Sequence, residues 1–565
     1  MRRLANDPAL FAADALRGFA AAHEEWVVPV PGGVVRAHEQ PRGTVAIVMG
    51  GGSGHFPAFA GWVGPGFGHA AVCGSVFASP SEAQVLSVAR AADAGGGLLF
   101  APINYAGDIL HFGAAAERLR GDGVDVRMVP ITDDIASAPS EAHAERRGIA
   151  GSFLVLKIAG AAAERGLALD EVERVAARAN AVTRSFGVAF SGCTLPGSEE
   201  PLFTVREGRV ALGLGIHGEP GIAEIPFATA RDIADALVDG LLEERPPVEG
   251  QRVACLVDGL GATKYDELFL LFDRIRERIE DAGMILVAPV VGEQVTSLDM
   301  AGASLSLAYL DAELEELWLA PASIPSFSRS ARDPRPRRVI GGVESGEAPI
   351  PPASDASRAD ASGAAAALGR VVAALRASES DLGALDAVAG DGDHGAGMVR
   401  GATAAEAAAR GAVRRGAGLG TTLRIAGAAW SDEGGGTSGA LWGAGLTAAG
   451  TAIGDEDPLT LARAAAAAVA FREAIAERGH ADVGDKTMMD AIAPFAAALQ
   501  DAAGDLAAAW STAAGAARRG ADDTAGLSGH RGRSRMHGDR SLGTPDPGAI
   551  SFALVVEHVT PDPLR

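Results

Sequence analysis

The stretch Asp386-Ala-Val-Ala-Gly-Asp-Gly-Asp-His-Gly-Ala-Gly397 places three carboxylates, Asp386, Asp391 and Asp393, within eight positions and surrounds the last two with glycine. Carboxylates that converge with no cation between them repel one another and raise each other's pKa. A hard divalent cation removes that conflict, and magnesium takes oxygen ligands from carboxylates and from substrate phosphates together. The spacing is not that of an EF-hand calcium loop. Two readings stay open on this stretch alone, a magnesium–nucleotide cradle and a solvated acidic turn. Asp386 falls in the last turn of one helix. Gly390, Gly392 and Gly395 let the chain fold back, so that Asp391 and Asp393 point the same way before the next helix begins.

Two further stretches of the second half could meet a phosphate. In Ser431-Asp-Glu-Gly-Gly-Gly-Thr-Ser-Gly-Ala-Leu-Trp-Gly443, the glycines around Gly435 and the run Thr437, Ser438, Gly439 open a helix. Free backbone N–H groups and hydroxyls at such a start bind anions, although similar loops also merely cap helices. Arg533-Ser-Arg-Met-His-Gly-Asp-Arg-Ser-Leu-Gly-Thr-Pro-Asp-Pro-Gly548 offers Arg533 and Arg540 as cations in an acidic chain, with Asp546 and Gly548 in a turn that could close over a ligand. A solvated basic loop explains it equally well.

The first half carries a different chemistry. Gly50-Gly-Gly-Ser-Gly-His55 follows an apolar run directly; it is neither a dinucleotide fingerprint nor a P-loop. Asn104-Tyr-Ala-Gly-Asp108 follows another such run, and Gly213-Leu-Gly-Ile-His-Gly-Glu-Pro-Gly221 sets His217 among glycines. A lone histidine is more often structural than functional. Three polar loops at the ends of strands shift that balance, because ligands of open α/β sheets bind there.

These loops must be held by something. From 44 to 130 short apolar runs alternate with helical patterns, which predicts a largely parallel sheet covered on both faces. The pattern returns from 252 and suggests a second lobe starting near 250. Residues 329–361 are rich in proline, serine and arginine and read as a linker. From 362 to 565 strands vanish and alanine-rich helical stretches follow one another. The expected order is thus a two-lobed α/β unit over 1–328, a linker, and an all-helical unit.

The length of 565 residues is too great for one core. The net charge of −23 makes nucleic acid or an anionic membrane surface a poor main partner, so a phosphate ligand must be held locally. The three cysteines, Cys73, Cys193 and Cys255, are far apart and odd in number, as expected of reduced thiols in a cytoplasmic protein. The N-terminal stretch reads as an amphipathic helix and not a signal peptide, and no apolar run is long enough to span a membrane.

Taken in order, GGGSGH at 50–55, NYAGD at 104–108, RRGIAGSFLVLKIAGAAAE at 146–164, GLGIHGEPG at 213–221, GDGDHG at 390–395, GDKTMMDA at 484–491 and GDRSLGTPDPGA at 538–549 resemble the dihydroxyacetone kinase family in its single-chain form. The resemblance implies a ketone-binding α/β module and a nucleotide-binding barrel of eight antiparallel helices. It implies that His217 adds to the substrate carbonyl as a covalent hemiaminal, and that Asp108 and His55 are the general base and its helper. Gly52, Ser53 and Gly54 would contact the ketose. Asp386, Asp391 and Asp393 would hold two magnesium ions. His394, Gly435, Thr437, Ser438, Gly439, Arg533, Arg540, Asp546 and Gly548 would bind ATP. The family also implies a homodimer in which one chain's nucleotide domain serves the other chain's ketose site.

The chain departs from the common family pattern at two positions. Phe56 stands where glutamate is usual, and Ile103 where lysine is usual. Both changes exchange charge for apolar bulk and resemble the branch acting on the four-carbon ketose erythrulose. The expectation is D-erythrulose, phosphorylated at a terminal hydroxyl, ahead of dihydroxyacetone or L-erythrulose. Other classes consistent with the resemblance are a ketose-binding regulator without turnover and a lyase that cleaves FAD.

Overall fold

Short apolar runs ended by glycine form the first sheet. In the computed structural model, which describes residues 4–246, 251–331, 335, 338, 349–388, 390–529 and 541–559, the chain divides into two units, Met1–Arg338 and Val339–Arg565. The first unit opens with helix α1 (Phe11–Ala22) and the strands β1 (Val27–Val30), β2 (Gly33–Arg36), β3 (Ala46–Ser53), β4 (Ala70–Val76), β5 (Leu98–Pro102) and β6 (Val126–Met128). Their order in the sheet is β1-β2-β4-β3-β5-β6. Helix α2 (Glu82–Ala92) crosses from β4 to β5, which flank β3, and helix α3 (Ala106–Gly121) joins the parallel neighbours β5 and β6. Ser81 and Gln84 close a reciprocal cap at the start of α2. The register between β3 and β4 slips at Gly51 to Ser53. The glycine run has no room for side chains there: a Cβ on Gly52 would lie 2.7 Å from the Ala78 nitrogen.

The mainly parallel sheet expected from the sequence is confined to β4, β3, β5 and β6. The second sheet is mixed and mostly antiparallel. Its strands are β7 (Thr183–Ala189), β8 (Arg209–Leu212), β9 (Ala223–Pro226), β10 (Arg252–Gly259), β11 (Ile285–Leu286), β12 (Val290–Gly292) and β13 (Gly302–Leu310). β13 lies antiparallel between β10 and β7, and β8 and β9 extend that edge. Only β11 and β12 run parallel to β10. The second sheet already takes in Thr183–Ala189, because β7 pairs along its own full length with β13. Helix α4 (Gly151–Glu164), apolar around its whole circumference and buried over 151–163, packs against strands of both sheets and joins them in one core. Helices α5 (Leu169–Ala181), α6 (Ala230–Glu243), α7 (Tyr265–Asp281) and α8 (Ala312–Leu319) cover the remaining faces, and a hairpin of β14 (Ala322–Ile324) and β15 (Phe327–Arg329) ends the strand-bearing part.

The second unit is helical throughout its described residues. It contains α9 (Asp355–Ala377), α10 (Glu379–Asp386), α11 (His394–Arg414), α12 (Leu419–Gly434), α13 (Gly436–Ile453), α14 (Leu461–Gly479), α15 (Met489–Asp501), α16 (Leu506–Asp523) and α17 (Pro547–His558). Helix α9 begins six residues before the expected end of the linker at 361, because Ser354 caps it and Ser357 is fully buried. Successive helices from α11 to α17 pack pairwise, and α9 packs on both α11 and α17. Small residues allow the closest approach: a Cβ on Gly427 of α12 would come 2.9 Å from the Gly443 carbonyl of α13. The helices enclose an apolar cavity of about 590 Å³ faced by Trp430, Trp442, Phe471 and Phe552. No helix among the described residues is long and apolar enough to cross a membrane.

Candidate active site

The loop after β3 and the loop between β8 and β9 meet through two imidazoles. His55 Nε2 lies 2.9 Å from His217 Nε2. The outer nitrogens fix the proton count. His55 Nδ1 faces the Thr296 carbonyl at 2.7 Å and must donate to it. His217 Nδ1 faces Glu219 Oε1 at 3.1 Å and donates to that carboxylate. Two bare Nε2 atoms would repel, so a hydrogen bond between the rings needs one proton between them. Burial, and then the charge of His217, push His55 down to about 3. Burial works against ionisation of Glu219, yet the His217 hydrogen bond and charge hold its carboxyl at about 2. Arg147, paired with Asp134 at 2.7 Å, stands 3.8 Å from Glu219 on its other side.

Aromatic groups wall this pair. Phe77 stacks on His55 at 4.9 Å and meets His217 edge-on at 5.0 Å; Tyr105 meets His217 edge-on at 4.9 Å. Phe77 holds a left-handed backbone, φ +55°, and its N–H bonds to the Ser53 carbonyl at 2.9 Å. Asp108 lies in the first turn of α3 and is 3% exposed; one carboxylate oxygen, Oδ1, has no hydrogen-bond partner. Burial raises its pKa to about 6 against the pull of the Ser79 hydroxyl. A half-raised carboxyl with a free buried oxygen is suited to take a proton from a hydroxyl near neutral pH.

Several expected residues take narrower parts. Ser53 spends its hydroxyl proton on the Gly74 carbonyl at 2.6 Å, so it can offer a sugar an acceptor and no donor. Gly54 adopts φ +101°, and Gly52 and Gly54 admit no side chain. Phe56 turns its ring to Phe19 of α1 at 5.6 Å. Ile103 is 4% exposed, and its side chain lies 3.5 Å from where a Cβ on Gly51 would stand. Glu219, Tyr105, Phe77 and Thr296 were not singled out from the sequence. Glu219 and Tyr105 lie inside the loop motifs quoted from the sequence, and Phe77 and Thr296 lie outside them.

In the helical unit, ligand oxygens of Asp386, Asp391 and Asp393 lie within 4.8 Å of one another, and the last two residues are exposed. Asp386 ends α10 and accepts the N–H of Gly392 at 2.9 Å, which folds the loop back. The donor set consists of hard oxygens alone and fits magnesium. Across a cavity of about 330 Å³ lies the start of α13, where Gly435 and Gly436 have φ +65° and +55° and no side chain caps the helix. His394, Gly435, Thr437, Ser438, Asp546 and Gly548 line this cavity. His394 Nε2 donates to Ser551, whose own proton goes to the Gly548 carbonyl; this leaves Nδ1 facing Ser438.

Gly439 does not line the cavity; it lets α13 start against Gly434 of α12, where a Cβ would meet the backbone at 3.0 Å. Asp546 caps α17 through the Ala549 N–H at 2.7 Å, and burial raises its pKa to about 7. Arg533 and Arg540 lie outside the described residues. Arg400, Lys486 and Thr487 also line the cavity and were not named as ligand-binding. Lys486 is 3% exposed and gives its ammonium protons to the Leu527 and Ser541 carbonyls.

Residues 17–326 match the Dak1 domain and residues 388–560 the DAK2 domain. The chain is 52% identical over 573 residues to the L-erythrulose 1-kinase of Mycolicibacterium smegmatis, covering 99% of this chain and all of that one. The chain belongs to the dihydroxyacetone kinase family. It is 48% identical over 568 residues to the D-erythrulose kinase of the same organism, covering 99% and 98% of the two chains. The dihydroxyacetone kinase of C. freundii in complex with AMP-PNP and Mg2+ is 31% identical, with a TM-score of 0.61 and 99% of both chains covered. Membership makes the protein a phosphotransferase with an alcohol acceptor, built from an α/β unit and a helical unit.

Proposed function

We propose that the protein is an ATP-dependent erythrulose kinase that anchors its substrate on His217. The observation that carries the reading is the convergence of Asp386, Asp391 and Asp393 beside the uncapped start of α13, in a chain whose other unit holds the His55–His217 pair. His217 Nε2 passes its proton to His55 and adds to the ketose carbonyl carbon. The carbonyl π pair moves to oxygen, and His55 returns the proton there. The alkylated imidazolium keeps its Nδ1–H on Glu219, so the adduct forms with no net proton uptake. Asp108 Oδ1 then takes the proton of a terminal hydroxyl as its oxygen displaces ADP from the γ-phosphorus. Magnesium, held by the three aspartates as two ions, supplies charge neutralisation of the triphosphate.

The ring of helices from α9 and α11 to α17 is read as an eight-helix antiparallel barrel. The working enzyme is a cytoplasmic homodimer in which the helical unit of one chain serves the ketose site of the other. Cys73, Cys193 and Cys255 form no disulfide, which fits a reducing compartment. The relatives at 52% and 48% identity are named for L- and D-erythrulose respectively, and we take L-erythrulose as the better substrate, in place of the D form first expected. The test is ADP release with L-erythrulose, D-erythrulose, dihydroxyacetone and glyceraldehyde. No release above background with any of them sinks the kinase reading.

Two results follow from the geometry. The base form of Asp108 is lost as pH falls through its raised pKa of about 6, so kcat/KM falls roughly tenfold per pH unit on the acid side. Asp108→Asn should remove that limb along with most activity; a wild-type rate flat down to pH 4.5 contradicts the assignment. Glu219→Gln leaves the alkylated ring without its counter-charge. It should lower adduct occupancy and kcat/KM by roughly 10- to 100-fold, read by intact-protein mass spectrometry and initial rates.

A further inference from the structure

We propose that the segment Gln294–Leu298 is the alignment device of the ketose site, and that Thr296 and Ser297 are positioning residues that set the spacing of the His55 and His217 rings. The proposal rests on the reading of His217 as the ketose anchor. The two histidines come from different sheets, His55 from the loop after β3 and His217 from the loop between β8 and β9. Their contact of 2.9 Å depends on how those two loops are held against one another.

The segment between β12 and β13 bonds to both. Toward His55, the Thr296 carbonyl accepts the ring Nδ1–H at 2.7 Å and the Thr296 N–H donates to the His55 carbonyl at 3.3 Å. The Thr296 hydroxyl donates to the Phe56 carbonyl at 2.8 Å, and the Leu298 N–H to the Gly54 carbonyl at 2.9 Å. Toward His217, the Ser297 hydroxyl donates to the carbonyl of Ile216, the residue just before the histidine. One short stretch thus takes hold of residues 54, 55 and 56 on one side and 216 on the other.

The stretch is itself held from behind. Asp258, fully buried near the end of β10, accepts the N–H groups of Gln294 at 2.6 Å and Val295 at 3.0 Å. The Ser297 N–H donates to the Leu260 carbonyl at 2.8 Å. Leu298 then adopts a left-handed backbone, φ +54°, which a side-chain-bearing residue keeps only where its surroundings over-determine it. A cavity lining or simple packing would not require two side-chain hydroxyls to end on backbone carbonyls of two catalytic loops.

The experiment uses the full-length enzyme with Thr296→Val, Thr296→Ser and Ser297→Ala, and Ser297→Ala combined with His217→Ala. Adduct formation with L- and D-erythrulose is followed by mass spectrometry. Nucleotide binding is followed with a magnesium-bound non-hydrolysable ATP analogue. Thr296→Val and Ser297→Ala are each expected to lower adduct affinity and kcat/KM roughly tenfold, with nucleotide affinity unchanged. Thr296→Ser keeps the hydroxyl and should stay near wild type, and Ser297→Ala should add nothing to His217→Ala. Wild-type adduct affinity in both single variants overturns the proposal. So does equal damage from Thr296→Ser and Thr296→Val, or a full further loss in the double variant. A wild-type enzyme that turns over erythrulose without any adduct removes the anchor reading itself, a result visible before any variant is made.

Discussion

His217→Ala is expected to abolish the ketose adduct and to lower kcat/KM with erythrulose by at least about 10³-fold, while nucleotide binding in the helical unit is unchanged. A four-carbon ketose offers few groups to hold, so orientation by contacts alone would be loose. The proposed covalent bond to Nε2 would fix the carbonyl carbon, and with it the terminal hydroxyl that must lie in line with the γ-phosphorus. The bond also selects chemistry over shape. A polyol of the same length lacks the carbonyl and cannot be captured, whereas a pocket contact would separate the two by only about 1–3 kcal/mol. The wild type should therefore turn over erythrulose and leave erythritol untouched. His217→Ala should lose most of that preference as well as the rate. His55→Ala should slow adduct formation and leave Nε2 of His217 as the atom modified, because in the proposed mechanism His55 moves the proton and His217 makes the bond. Full erythrulose kinase activity in the His217 variant would refute the anchor.

The parts that sequence made legible are those in which one short stretch carries its own geometry. Asp386 with Gly390 and Gly392 is such a stretch: the helix end, the return of the chain and the three carboxylates are all local. The glycine-opened start of α13 is another. Alternating apolar runs and helices made β3, β5 and the crossovers α2 and α3 legible for the same reason. What was hidden depends on contacts between distant segments. β8 and β9 are four residues each and carry Arg209, Glu224 and Pro226, so no period emerges; only pairing with β7 makes them a sheet edge. Nothing near His55 announces Thr296, which lies 241 residues away and acts through a backbone carbonyl, an atom every residue possesses. Phe56 looked like a pocket residue because it adjoins His55, yet a step along the backbone turns its ring to α1. That Ser53 gives its proton to the Gly74 carbonyl, and so faces a ligand only as an acceptor, is likewise set by a contact 21 residues away.

Asp391→Asn is the sharpest test of the other half of the molecule. The amide keeps one oxygen and the shape but removes one of three charges that magnesium must see. Phosphoryl transfer should fall by roughly 10²–10⁴-fold at millimolar magnesium, since the lost charge stabilises the metal-bound triphosphate most at the point of transfer. Ketose capture on His217 should survive, because the adduct needs only the α/β unit. Stability gives a second signature of opposite sign. Without metal the three carboxylates converge within 4.8 Å and repel, so the variant should melt no lower than wild type in EDTA. Added magnesium should then raise the melting temperature of the wild type and raise that of the variant less, because binding to the folded state stabilises it in proportion to affinity. Asp432→Asn, which removes an exposed carboxylate of α12 outside the cradle, serves as the control and should change neither rate nor magnesium response. A variant at position 391 that keeps the wild-type rate and the wild-type magnesium shift would mean the aspartates form a solvated turn, and the phosphate donor would have to bind elsewhere.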